Sequence, residues 1–144
     1  TDLKIDYSTI WQKIHFKSIE SAYKSSPFYD YYIDEFLPFF KKKYTFLYDF
    51  NLEIINVIFK NVNQDIKIIE TEDFINIGDK NFTDFRYSIS PKIKKNYPEI
   101  SDLKYHQVFG EKFGFVTDLS ILDLLFNLGP ETSEYLNKFY RLYD

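Results

Sequence analysis

The pattern of apolar and polar positions predicts a chain built mainly of helices. Apolar residues recur every three or four positions over residues 9–24, 45–62, 119–128 and 131–143. This spacing places them on one face of an α-helix. A further helix is predicted over residues 27–37, because proline at position 27 is favoured in the first turn of a helix.

Several residues have the character of helix ends. Ser8 is predicted to cap the first helix, since a serine hydroxyl can accept a hydrogen bond from a first-turn amide. Pro38 is predicted to break or kink the second helix. Thr117 and Asp118 are candidate caps for the helix over 119–128. Gly129, followed by proline, is typical of the end of that helix.

Strand patterns are short and few. Residues 3–7 alternate between apolar and polar, residues 66–69 form a short apolar run, and residues 105–109 alternate again. Residues 78–102 show no periodicity, and so long an irregular segment is often a functional loop. We therefore predict a mainly α fold, with α+β as the alternative. It would be a single compact domain over residues 1–144, with five or six helices and two or three short strands.

Composition excludes several classes of function. The 144 residues include no cysteine, so disulfides, thiolate metal sites and cysteine nucleophiles are excluded. The net charge of −4 and the short basic runs at 41–43 and 92–95 argue against nucleic-acid binding, which needs a clustered basic face. No signal peptide or run of 18 apolar residues occurs, so we expect a cytoplasmic protein without a membrane span.

The first predicted helix carries the chain's only tryptophan and one of its two histidines. At about 100° per residue, Trp11, His15, Ser18 and Ala22 share one stripe. Isoleucines flank this stripe, so we expect it to face inward. His15 is the best single catalytic candidate, because the reference pKa of histidine, about 6.5, suits a general base. The alternative is a core histidine bonded to a backbone carbonyl or a tyrosine hydroxyl.

Four other residues are candidates for binding a substrate. Arg86 is one of two arginines and lies in the irregular segment, where it could hold a carboxylate or phosphate through two parallel bonds. A salt bridge that holds the segment is the alternative. Tyr23, Gln107 and Asn127 are polar residues beside apolar runs, and such a residue is more often a buried hydrogen-bonding bracket than a ligand contact.

The motifs of three other kinds of site are missing from the sequence: a phosphate-binding loop, a zinc site and a nucleophile elbow. The four glycines do not have the spacing of a phosphate-binding loop. His15 and His106 lack the spacing of a zinc site, and no nucleophile elbow is present. We predict neither a metal nor a cofactor. The high aromatic content, 21% of residues, is accompanied by many Ile, Lys and Asn and follows from codon bias, so it does not by itself indicate a sugar platform.

The chain contains a series of ordered blocks, namely I-D-Y-S at 5–8, W-Q-K-I-H at 11–15, S-I-E-S-A-Y at 18–23, S-P-F-Y-D-Y-Y at 26–32, D-F-N at 49–51, D-F-R at 84–86, I-S-P-K at 89–92, Y-H-Q-V-F at 105–109, G-F at 114–115 and L-S-I-L-D-L-L-F-N-L-G-P at 119–130. Together these blocks resemble the WbqC-like protein family, found in bacteria beside O-antigen and other surface-polysaccharide genes. The resemblance covers nearly all of the chain.

The resemblance implies a transferase that moves an amino-acyl or acyl group onto a nucleotide-linked amino sugar. His15 would then deprotonate the sugar amine, and Arg86 would hold a nucleotide or acyl-donor phosphate. Tyr23, Gln107 and Asn127 would bond sugar hydroxyls. The alternative is a non-catalytic sugar- or nucleotide-binding accessory or scaffold protein of the same pathway; a purely structural helical domain is a third interpretation. The sequence is compatible with a homo-oligomer as well as with a monomer.

The chain departs from the family pattern in two respects. Tyr29 and Asp30 stand where Phe-Glu is expected, which is a conservative change. Relatives also carry an aromatic- and proline-rich block and an arginine-bearing block ahead of the first strand. From this difference we expect residues 1–144 to be the C-terminal portion of the family domain, with only one wall of its site.

Overall fold

The computed structural model describes residues 2–78, 83, 84, 86 and 103–141, and their regular structure is helical. The chain divides into two compact units, one of Thr1–Asp65 with Leu103–Asp144 and the other of Ile66–Asp102. The described helices, all in the first unit, are α1 (Trp11–Tyr23), α2 (Tyr29–Lys41), α3 (Leu47–Asn61), α4 (Gly110–Phe113), α5 (Ile121–Leu128) and α6 (Thr132–Arg141). The prediction of a mainly α fold is confirmed.

The predicted strands do not form within the described ranges. Residues 3–7 make one isolated antiparallel bridge, between Lys4 and Phe46. The Ile5 amide donates to the Thr45 carbonyl at 3.1 Å, and the Leu47 amide donates to Leu3 at 2.9 Å. The pairing stops there because α3 begins at once and uses the next backbone groups in its own helical bonds. Residues 66–69 have no regular structure, so that strand prediction is also wrong.

Helix α2 supplies most of the core. Aromatic and aliphatic side chains recur along one face of it, and the buried ones are Tyr29, Tyr32, Ile33, Phe36 and Phe39. Each such side chain gains about 1.5–3 kcal/mol by leaving water. Helix α3 packs partly buried side chains against the same core, among them Phe50, Ile54 and Ile58, as its four-residue spacing predicts.

Pro38 was predicted to break or kink α2, and it does not break it, because the helix continues to Lys41 with Pro38 inside it. A proline in a helix removes the amide that would bond to the carbonyl four residues earlier, here that of Asp34. Both residues lie on the exposed side of α2. Water can therefore satisfy the Asp34 carbonyl, while Phe36 and Phe39 keep the helix seated on the core.

Helix α1 is turned differently from the expected orientation. His15 and Ser18 are exposed, so the prediction that their stripe faces inward is wrong. Phe16, Ile19 and Tyr23 instead pack against the core, on the i, i+3, i+7 spacing of another face. Three large apolar side chains bury more area than the Trp-His-Ser stripe, which explains the rotation.

Helix α5 begins with a serine cap rather than with the predicted Thr117 or Asp118. The Ser120 hydroxyl accepts a hydrogen bond from the Leu122 amide at 3.3 Å. The prediction for Ser8 is also wrong, since α1 has no side-chain cap and the Ser8 hydroxyl donates to the Asp6 carboxylate at 2.8 Å.

Replacing Ser120 with alanine is therefore expected to lower the free energy of unfolding by about 1 kcal/mol, the usual cost of losing an N-cap. Urea denaturation followed by circular dichroism measures the change. Ser8→Ala is the matched control and should cost less than about 0.5 kcal/mol, as for most surface substitutions. Equal effects of the two substitutions would contradict the assigned cap.

Candidate functional site

A buried carboxylate at the start of α5 gathers polar side chains around it. Asp123 is 3% exposed and lies in the first turn of the helix, where a negative charge is favoured by the helix dipole. Its Oδ2 accepts hydrogen bonds from the Tyr105 hydroxyl and from Gln107 Nε2, and its Oδ1 accepts one from Asn127 Nδ2. We call Tyr23, Tyr105, Gln107, Asp123 and Asn127 the Asp123 cluster.

Backbone contacts hold the amides of the cluster in place. Gln107 Nε2 donates to the Val116 carbonyl, and the Val116 amide donates to Gln107 Oε1, both at 2.9 Å. The Gln107 side chain, which precedes α4, thus pairs with both backbone groups of Val116, which follows α4. A residue of a neighbouring strand would make the same pair of bonds. Asn127 Nδ2 donates to the Asp123 carbonyl one turn earlier at 2.8 Å. Both amides are 6% exposed, so each is held within the protein interior.

The two tyrosines stand at the edge of the cluster and are half-buried. Burial raises the pKa of the Tyr105 hydroxyl well above its usual value, and its hydrogen bond to Asp123 raises it further. Burial also raises the pKa of Tyr23, and the charge of Asp123 together with a hydrogen bond to it adds to that shift. Both hydroxyls therefore stay protonated at neutral pH and act as hydrogen-bond donors.

Two groups of the cluster lack a matching partner in the described part of the protein, namely the carboxylate of Asp123 and one oxygen of Asn127. No Lys, Arg or His there pairs with Asp123, and its recorded partners are neutral donors. Asn127 Oδ1 is buried and has no hydrogen-bond partner in those ranges. Such an orphaned acceptor is unusual in a folded protein.

The structure brings three of the five predicted site residues together. Tyr23, Gln107 and Asn127 come from α1, the segment before α4, and α5, and they meet at Asp123. Gln107 and Asn127 make the hydrogen bonds of a buried bracket, and the role of the three residues in binding a substrate stays a prediction.

His15 lies elsewhere on α1. It is exposed, and its ring centroid is 5.5 Å from that of Trp11. It precedes Tyr23 by eight residues, which is a rise of about 12 Å along the helix. An open groove along the exposed face of α1 does not include it; that groove is lined by Ile10, Lys13, Ile14, Lys17, Ser18 and Ser21.

Arg86 belongs to the second unit and bonds locally. Its Nε and terminal nitrogen donate to the Asp84 carboxylate at 2.9 and 2.6 Å, and its guanidinium lies 5.1 Å from the ring centroid of Phe74. The hydrogen bonds from Arg86 lower the pKa of Asp84 to about 2. The alternative predicted for Arg86 was a salt bridge that holds the irregular segment. Arg86 does form a salt bridge, but with Asp84, only two residues away in the chain.

Within the described ranges, no three or more acidic or histidine side chains come together as metal ligands would. A helix with the length and apolar character needed to cross a membrane is likewise missing from those ranges.

Asp123 and Tyr105 are the members of the cluster that the sequence analysis missed. A signal was present for Asp123, because it and Asn127 are spaced by four within an otherwise apolar run of eight residues. Two polar side chains on the same face of such a helix face each other and need further partners. Tyr105 gives no comparable signal, since its partner is 18 residues away in the chain.

The fold and the cluster define a mainly helical protein with a buried polar cluster at the start of α5. Comparison with family models gives its affiliation, since the WbqC-like protein family matches residues 1–97. The chain belongs to the WbqC-like family. Neither the curated proteins nor the solved structures include a match.

The matched range divides the predicted site. It includes His15, Tyr23 and Arg86, whereas Tyr105, Gln107, Asp123 and Asn127 follow it. The resemblance of the blocks beyond residue 97, and with it a single family domain over 1–144, stays a prediction.

Proposed function

We propose that this WbqC-like protein binds a sugar or sugar nucleotide of bacterial surface-polysaccharide biosynthesis at the Asp123 cluster. The observation that carries the proposal is the convergence of Tyr23, Gln107 and Asn127 on one buried carboxylate. The family affiliation supports the pathway, because the family that the sequence blocks resemble is found beside surface-polysaccharide genes.

The chemistry of the cluster suits a sugar. A sugar hydroxyl both donates and accepts hydrogen bonds, and the cluster offers a carboxylate, two amides and two phenol groups. Two aromatic side chains of the cluster, Tyr23 and Tyr105, are half-buried rather than fully buried. A few convergent polar groups beside aromatic side chains are typical of a small-molecule site.

The first test is a thermal-shift screen of the protein with nucleotide-linked sugars, followed by calorimetric titration of any hit. A ligand at a hundred times its dissociation constant adds about 2.7 kcal/mol of stability, which gives a measurable shift. Asn127→Ala should weaken binding about tenfold, the effect of losing a well-placed hydrogen bond. Asn56→Ala, on the exposed side of α3, is the matched control and should bind like the wild type.

Two results would count against the proposal. The absence of a shift with any nucleotide sugar or free sugar would remove the ligand class. A hit whose affinity is unchanged in Asn127→Ala, with the variant folded by circular dichroism, would place the ligand elsewhere on the protein.

A second candidate function is the transfer of an amino-acyl or acyl group onto a nucleotide-linked amino sugar. It is favoured by one observation, the exposed position of His15 beside Trp11, which leaves the imidazole accessible to a substrate. In this candidate the sugar amine attacks the acyl carbonyl, and the bond between that carbonyl and the donor's leaving group breaks. His15 takes the proton from the amine and passes it to the leaving group.

This candidate predicts that His15→Ala lowers turnover by about 10²- to 10⁴-fold, the usual contribution of a general base. The measurement is mass spectrometry of products formed from an acyl donor and a nucleotide-linked amino sugar. His106→Ala is the control, because His106 is also exposed and is expected to have no part in the reaction. Full turnover in His15→Ala would end the role proposed for His15. Binding without product in the wild type would leave the sugar-binding function alone.

A further inference from the structure

Asp123 is a buried carboxylate whose recorded partners are all neutral. Burying a carboxylate without a positive charge nearby is costly, even when hydrogen bonds satisfy its oxygens. Tyr105 and Gln107 donate to Oδ2, and Asn127 donates to Oδ1. These bonds stabilise the oxygens but do not offset the charge, so the described part of the site has a net negative charge.

Asn127, whose side chain contacts the Asp123 carboxylate, carries a hydrogen-bond acceptor that has no partner among the described residues. Asn127 is 6% exposed, and its Oδ1 has no partner within the described residues. Its Nδ2 is directed at Asp123, to the carbonyl at 2.8 Å and to Oδ1 at 3.3 Å, so this orientation of the amide is determined by the bonds it makes. The cluster therefore holds a buried carboxylate and a buried neutral acceptor on neighbouring turns of α5. The carboxylate lacks a positive charge, and the amide oxygen lacks a donor.

We propose that the Asp123 cluster binds its ligand through a protonated primary amine, which donates to the Asp123 carboxylate and to Asn127 Oδ1. This inference rests on the proposed sugar-binding function and specifies the group that the site selects. An ammonium is compact, carries the missing charge and offers three donors. The amine would be recognised in preference to a hydroxyl at the same position of the sugar.

Other cations fit these groups less well. A guanidinium prefers to bind both carboxylate oxygens in one plane, whereas Oδ2 of Asp123 already accepts from Tyr105 and Gln107. Calcium takes six to eight oxygen ligands, and the described residues contain no group of three or more acidic or histidine side chains. A primary ammonium needs only a few acceptors and so matches what the site provides.

The test compares probes that differ in one group: glucosamine, glucose and N-acetylglucosamine, each free and as its nucleotide conjugate. Calorimetric titration at pH 6, where the amine is protonated, should show glucosamine binding roughly ten- to a hundredfold more tightly than glucose, the range expected for a charged hydrogen bond. N-acetylglucosamine, which is neutral, should bind no better than glucose.

Asp123→Asn keeps the shape of the side chain and removes its charge. It should remove the preference, so that glucosamine binds no more tightly than glucose. Asp34→Asn, an exposed site on α2, is the matched control and should keep the preference. A preference that survives in folded Asp123→Asn overturns the inference.

If Asp123→Asn fails to fold, the wild-type protein alone still tests whether the site prefers an amine to a hydroxyl. Raising the pH until the amine is neutral should remove the preference for glucosamine, and a preference that persists would overturn the inference. Equal affinity for glucosamine and glucose at pH 6 would overturn it too, yet would leave the proposed sugar binding intact. Failure of every probe to bind would remove the proposed function itself, and the inference with it.

Discussion

Replacing Phe126 with alanine is expected to lower the free energy of unfolding by about 3–5 kcal/mol. Phe126 is fully buried in α5, and its ring lies 5.3 Å from Tyr23, 5.2 Å from Tyr29 and 6.3 Å from Phe36, measured between centroids. Removal of the ring leaves a cavity where α1, α2 and α5 meet. Because a domain of this size has a total stability of about 5–15 kcal/mol, the loss would be large.

Thermal and urea denaturation measure this effect, which corresponds to a fall of roughly 10–20 °C in Tm. Phe113→Ala is the matched control, since the side chain of Phe113 is 65% exposed, and it should cost less than about 1 kcal/mol. A loss of under 1 kcal/mol at Phe126 would show that α5 does not pack on α1 and α2 as described.

Replacing Gly129 with alanine is expected to be the next most damaging change. Its backbone has φ 56° and ψ −126°, a conformation open to glycine but strained for other residues at a cost of about 1–3 kcal/mol. An added Cβ would also lie 2.6 Å from two ring atoms of Phe28. Phe28 packs against the core, and its amide donates to the Phe126 carbonyl at 3.0 Å, so the ring has little room to move. Overpacking adds about 1–3 kcal/mol.

Gly114→Ala separates the two contributions. Gly114 has φ 73° and ψ −177°, so alanine is strained there too, but nothing lies within 4 Å of the added Cβ. Urea denaturation should therefore show Gly129→Ala to be more damaging than Gly114→Ala by about 1–3 kcal/mol. The difference should shrink when Phe28 is also replaced by alanine. Equal losses at the two glycines would contradict the close approach of Phe28.

The periodicity of the sequence predicted where helices form but not always which face turns inward. Helix α3, predicted over 45–62, spans Leu47–Asn61, and the helix predicted over 119–128 spans Ile121–Leu128. For α1 the spacing fitted two faces, and the chosen one was wrong. The face with Phe16, Ile19 and Tyr23 prevailed because it meets the large apolar side chains of α2 and α5, which no local pattern reveals.

The sequence likewise predicted only part of the candidate site. Polar residues beside apolar runs pointed to Tyr23, Gln107 and Asn127, and these residues meet at one carboxylate. The meeting point, Asp123, was not identified, because a buried acid is recognised by its partners, and these lie up to 100 residues away in the chain. His15 was singled out from its neighbours alone, and its exposure on α1 became visible only once the helix was packed.

The sequence by itself determined what local interactions decide: the helical fold class, most helix ranges, the stop at Gly129 and the resemblance that the family match confirms over residues 1–97. Tertiary structure decided what depends on competition between distant parts of the chain. The continuation of α2 through Pro38, the rotation of α1 and the gathering of polar groups at Asp123 are of this kind. The free energy of burying large side chains in a shared core outweighs the preferences of single residues, and those preferences are all that a linear pattern records.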